Sequence, residues 1–102
     1  MALKAAFVFV APDVDPKVHR QTVVTPRVEL TAVAVNNYAE AMAVCKDLVE
    51  EGIVAIELCG GFGHIGAAQV AEAVGDEVAV GVVRFDNHPG LEFKSGDAIY
   101  GN

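Results

Sequence analysis

The chain has 102 residues, 53% of them hydrophobic, with 14 acidic against 7 basic residues and a net charge of −7. That length suits one domain with one core. The acidic balance, with basic residues that form no stripe, excludes the electrostatic footprint of a nucleic-acid or anionic-membrane partner.

Met1-Ala2-Leu3-Lys4 leads straight into a strand pattern without the layout of a signal peptide. No segment nears the roughly 18 consecutive apolar residues of a membrane span. Two cysteines, Cys45 and Cys59, are too few for a disulfide framework. A cytoplasmic protein with reduced thiols is expected.

The first strand is predicted over Leu3–Val10, where the run from Ala5 to Val10 has no polar face. Such a run reads as a central strand covered by helices on both sides. Asp15-Pro16 has the form of a helix N-cap followed by proline at the first helical position, which predicts a short helix over 16–23, stopped by Thr25-Pro26. The second strand, Val28–Val35, carries Glu29 and Thr31 and is expected at an edge. Asn37 and Glu40 have capping-box spacing, and Ala41, Val44, Cys45, Leu48 and Val49 recur at helical spacing up to Gly52. A third strand over Ile53–Leu58, a helix over 64–74 and a fourth strand over Val78–Phe85 follow, and 87–102 reads as an irregular tail.

Strands alternating with helices predict a small open α/β protein, one domain over 1–102. Its mainly parallel four-stranded sheet is flanked by helices in the order 2-1-3-4. A ferredoxin-like α+β sandwich, with one sheet face buried between subunits, is the alternative. In an open α/β sheet ligands bind at the carboxyl ends of the strands where the order reverses. The apolar fourth strand would be an edge, which invites pairing, so a homo-oligomer is expected.

Two stretches fall at those strand ends, Leu58-Cys59-Gly60-Gly61-Phe62-Gly63-His64 and Arg84-Phe85-Asp86-Asn87-His88. Glycines opening a helix favour anions, so a phosphate or carboxylate is expected over Gly60, Gly61, Phe62, Gly63 and His64, with Arg84, Asp86, Asn87 and His88 beside it. The plainer reading is that the glycines only permit a tight turn and close packing. Gly61-Phe62-Gly63-His64-Ile65-Gly66 has dinucleotide-fingerprint spacing. It follows the third strand rather than the first, and Asp76 and Glu77 lie before the next strand instead of at its end, so no cofactor is expected. Glu57 interrupts an apolar strand, and in-register pairing would set it against Arg84 as a structural ion pair or as a general base with its clamp. Cys59 beside a helix start, with His64 or His88 as base, is the nucleophile candidate. Convergence of His64, His88, Asp86 and His19 on a metal is a further reading, although their spacing matches no metal motif.

The stretches Lys4-Ala5-Ala6-Phe7-Val8-Phe9-Val10-Ala11-Pro12-Asp13, Ile56-Glu57-Leu58-Cys59-Gly60-Gly61-Phe62-Gly63, Val82 to Gly90 and Ser95-Gly96-Asp97 resemble a family of short uncharacterised prokaryotic α/β proteins. The resemblance implies a stand-alone cytoplasmic protein and assigns no residue a role. Binding of a small, anionic molecule is the leading expectation. A small enzyme using Cys59, Glu57 or His64, and a structural or regulatory subunit of a homo-oligomer, are the alternatives.

Overall fold

The apolar run Leu3–Val10 becomes β1, the middle strand of a five-stranded sheet in the computed structural model, which describes residues 2–101. Met1 and Asn102, the ends of the expected span, lie outside the described residues. The other elements are β2 (Arg20–Val24), β3 (Val28–Val35), α1 (Tyr38–Glu50), β4 (Ala55–Leu58), α2 (His64–Val74), β5 (Ala79–Val82) and α3 (Gly96–Tyr100). The sheet order is β2-β3-β1-β4-β5, with β2 antiparallel to β3 and every other pair parallel.

The expected order survives as β3-β1-β4-β5, and the ferredoxin-like alternative does not form. The correction lies in the segment predicted as a helix over 16–23. Lys17 N donates to Asp15 Oδ1 and His19 N to the Asp15 carbonyl, so the Asp15-Pro16 signal closes a single turn. Thr22, Val23 and Val24 then lie in an extended edge strand, because branched β-carbons prefer the pleated sheet. Val28–Val35 is therefore an inner strand. Its Thr31, buried on the core side, is satisfied across the pair by Thr22, Oγ1 to Oγ1 2.8 Å.

That strand replaces the one helix that would have covered the second sheet face. Both remaining crossovers, β3-α1-β4 and β4-α2-β5, step across the sheet in the same direction, and right-handed connections then lay both helices on one side. Tyr38, Ala41, Cys45 and Leu48 of α1 and Val70 of α2 share one core with Ala6, Val8, Val33, Val35, Ile56 and Leu58. The protein is thus a two-layer α/β fold. Strand alternation turns Ala5, Phe7 and Phe9 of β1, Leu30, Ala32 and Ala34 of β3, Ala55 and Glu57 of β4, and Ala79 and Gly81 of β5 to the face that carries no helix.

The α1 start follows its predicted cap: Asn37 Oδ1 accepts from Glu40 N at 2.8 Å, and Glu40 Oε1 accepts from Asn36 N at 2.8 Å. The expected irregular tail is partly ordered into a 3-10 turn over Pro89–Leu91 and the short α3. No helix among the described residues is long and apolar enough to cross a membrane.

Candidate functional site

Helix α2 begins at Gly63, a residue with no side chain to cap the first turn. Its orphan amides find their acceptor far along the chain. Asp97 Oδ2 accepts from Ile65 N at 2.9 Å and Oδ1 accepts from Gly66 N at 3.3 Å. The anion expected over the glycine turn is thus matched by a carboxylate of the protein itself, delivered by α3. The Tyr38 hydroxyl joins the group, accepting from Gly63 N at 3.0 Å and lying 3.1 Å from Asp97 Oδ1.

Burial opposes the charge on Asp97, but the Ile65 amide, the Tyr38 hydroxyl and the Gly66 amide outweigh it and hold the carboxyl below its ordinary value. Burial pushes the Tyr38 phenol up to about 12, against the Gly63 amide and with help from Asp97. At neutral pH a phenol and a carboxylate therefore face each other, the pairing that a hydrogen bond between them requires.

Each glycine of the turn makes room for one of the chain's own side chains. A β-carbon on Gly60 would come within 2.6 Å of the Phe85 ring, one on Gly61 2.5 Å from Val10 Cγ1, one on Gly63 2.6 Å from Asp97 Oδ2, and one on Gly66 2.6 Å from the Tyr38 ring. Phe62, expected beside a ligand, is buried in the core and stacked on Tyr38 with ring centroids 5.2 Å apart. These contacts are the tight-packing reading of the glycines.

The strand-end polar residues gather around Arg84 and not around Glu57. Arg84 donates to His64 Nδ1 at 3.1 Å and pairs with Asp86 at 2.6 Å, with both side chains exposed to solvent. The expected Glu57–Arg84 pair does not form: Glu57 stands in register with Phe7 and Gly81, exposed on the open sheet face. His88 is used locally, its Nδ1 accepting from Gly90 N at 3.0 Å and its ring lying against Phe85 at 4.8 Å. Asn87 is exposed beside it. Cys59 is half-buried, and its Sγ receives Gly61 N at 3.3 Å and Val10 N at 3.5 Å rather than a histidine. His19 lies across the sheet, its Nδ1 accepting from Asp15 N at 2.9 Å. Among the described residues no three His, Cys, Asp or Glu side chains come together as a metal site, and His64, His88, Asp86 and His19 do not converge.

Tyr38 and Asp97 are the residues that the sequence reading missed. A signal for them existed: a helix opening on glycine, without Ser, Thr, Asp or Asn at its cap, needs its acceptor from elsewhere in the chain.

A two-layer α/β protein with one open sheet face and a helix capped by its own C-terminal tail is the class that these features define. The chain belongs to the family of unknown function DUF6506, whose model matches residues 3–98. Neither the curated proteins nor the solved structures contain a match to it.

Proposed function

We propose that the protein works as a subunit of a homodimer, closed by the helix-free faces of two sheets. The observation that carries this reading is the composition of that face. Phe7 and Phe9 lie side by side on it with centroids 6.3 Å apart, Val23 and Leu30 are exposed on it, and Glu57 is its one charged side chain among the described strand residues. Apolar surface left in water is costly, and contiguous patches of this kind mark association.

The dimensions support it. Five strands of four to eight residues, at about 3.3 Å per residue and 4.8 Å between strands, make a flat area of roughly 450 Å². The relief of Phe, Leu and Val side chains brings the accessible area toward the roughly 600–1,000 Å² per partner of a standard interface. The free thiols Cys45 and Cys59 support a cytoplasmic setting.

Sedimentation equilibrium tests the reading. The wild type is expected as a dimer at tens of micromolar. Phe7→Lys and Leu30→Lys are each expected to give a monomer with unchanged far-ultraviolet dichroism. A monomeric wild type at about 100 µM overturns the proposal.

A second reading, binding of a small anion, draws on Arg84. Its guanidinium beside His64 is half-exposed at the carboxyl end of β5, and a phosphate or carboxylate ligand would exchange with Asp86 there. Phosphate titration followed at the His64 ring resonances tests it. Saturable shifts lost in Arg84→Ala support the site, and shifts that persist in that variant overturn it.

A further inference from the structure

The open face has two unequal halves. Over β1 and β3 it carries Phe7, Phe9 and Leu30, whereas over β4 and β5 it carries Ala55, Ala79 and Gly81 around Glu57. Sheets packed face to face lie about 10 Å apart, a gap that phenylalanine and leucine side chains fill and that alanine and glycine leave open. The β4–β5 half is therefore a recess. When two copies meet with their two-fold axis across the strands, like halves oppose each other and the two recesses join into one chamber.

Each copy brings one Glu57 into that chamber, so two carboxylates share it. A carboxylate enclosed by apolar walls needs an opposite charge to offset the loss of water. The chain's nearby cations are engaged elsewhere: Arg84 with Asp86 and His64 beyond the strand end, and Lys4 with the Glu51 carbonyl at 3.3 Å on the helix side. Directly across from Glu57 in the β1–β4 register stands Phe7, whose ring face attracts cations.

We infer that this recess is a binding site for a small organic cation, an alkylammonium or a guanidinium, with its charge on Glu57 and its flank against Phe7. The inference rests on the dimer proposed above, since the second copy supplies the roof that excludes water. The closed chamber strengthens the ion pair, because charges attract more strongly away from bulk water. The alanines and glycine of the floor leave space for the carbon skeleton. The site asks only for charge, size and an apolar flank, so it selects a class of ligand rather than one geometry.

The test uses butylammonium and guanidinium chlorides against sodium chloride at matched ionic strength, followed at the Gly81 amide and Phe7 ring resonances, with the mass measured in the same samples. Saturable shifts with one of the organic cations, half-complete below about 1 mM, are expected of the dimeric wild type. Glu57→Gln should weaken them at least tenfold while the dimer mass stays unchanged. Phe7→Leu, which keeps the face apolar, should weaken them by about three- to thirty-fold. A dimer whose Gly81 and Phe7 resonances ignore both organic cations, or a Glu57→Gln variant that binds as well as wild type, overturns the cation site and leaves the dimer standing. A monomeric wild type overturns both.

Discussion

The carboxylate of Asp97 sits 2.9 Å from the backbone nitrogen of Ile65, 32 residues earlier in the chain. One side chain thereby caps the first turn of α2 and fastens the C-terminal segment to the core. Helix starts more often take their cap from the residue immediately before them. Here Gly63 occupies that place, so the order of the helix and the order of the tail are coupled.

Asp97→Ala should therefore cost about 1–2 kcal/mol of stability, the usual worth of a lost cap, read as a lower urea midpoint with an unchanged slope. Hydrogen exchange should quicken at Ile65 and Gly66 and through 96–101, while Val8 and Leu58 in the central strands keep their protection. Asp97→Asn retains an acceptor oxygen and should lose less. Equal protection of the tail in wild type and Asp97→Ala would refute the coupling.

Gly63 has φ −86°, open to any residue, so its requirement for glycine comes from space. A β-carbon there would lie 2.6 Å from Asp97 Oδ2. Gly63→Ala is expected to destabilise by about 1–3 kcal/mol through overpacking. In a chain already carrying Asp97→Ala the obstructing carboxylate is gone, and the same substitution should cost clearly less. A double-mutant cycle on urea midpoints measures that non-additivity, and strict additivity would mean that the two residues do not meet.

Acid and base act on the latch in opposite senses. The Asp97 carboxyl is held below its ordinary value in the fold. Its contribution to stability is thus complete above the unfolded value, about 3.9, and is lost as the pH falls through the lower folded value. Tyr38 is raised to about 12, so its contribution is complete below about 10 and is lost as the pH climbs through about 12. The tail should stay fastened across the whole neutral range. Titration of the Asp97 carboxyl carbon and the Ile65 amide by NMR should give one shared midpoint below 3.9, and a midpoint above it contradicts the arrangement.

Much of this fold was readable as pattern. The β1, β3 and α2 spans, the Asn37 cap and the order around β1 follow from local periodicity and from connection rules that hold without tertiary information. The failures arose where a local signal met a non-local competitor. Asp15-Pro16 does start a turn, but Thr22, Val23 and Val24 gain more from pairing with β3 than from a helix. The glycine turn does favour an anion, but nothing near it in sequence announced that residue 97 would supply one. Pairing of Glu57 with Arg84 requires a fourth strand that continues to Phe85. It ends at Val82, and Arg84 turns toward His64.

That last correction has its own measurable consequence. With Glu57 on the open face opposite Phe7 and Gly81, and Arg84 pairing with Asp86 beyond the strand end, the two side chains share no partner. Glu57→Gln and Arg84→Gln should then act independently, with a coupling within about 0.3–0.5 kcal/mol of zero. Arg84→Gln alone should cost well under 1 kcal/mol, because its ion pair is exposed and screened by solvent. The cycle is best run by urea denaturation at one fixed protein concentration, so that any contribution from association is common to all four chains. A coupling above about 1 kcal/mol would restore the buried ion pair, and with it a general base held in place by Arg84. Its absence leaves Glu57 as an exposed carboxylate on the open sheet face, unconnected to Arg84.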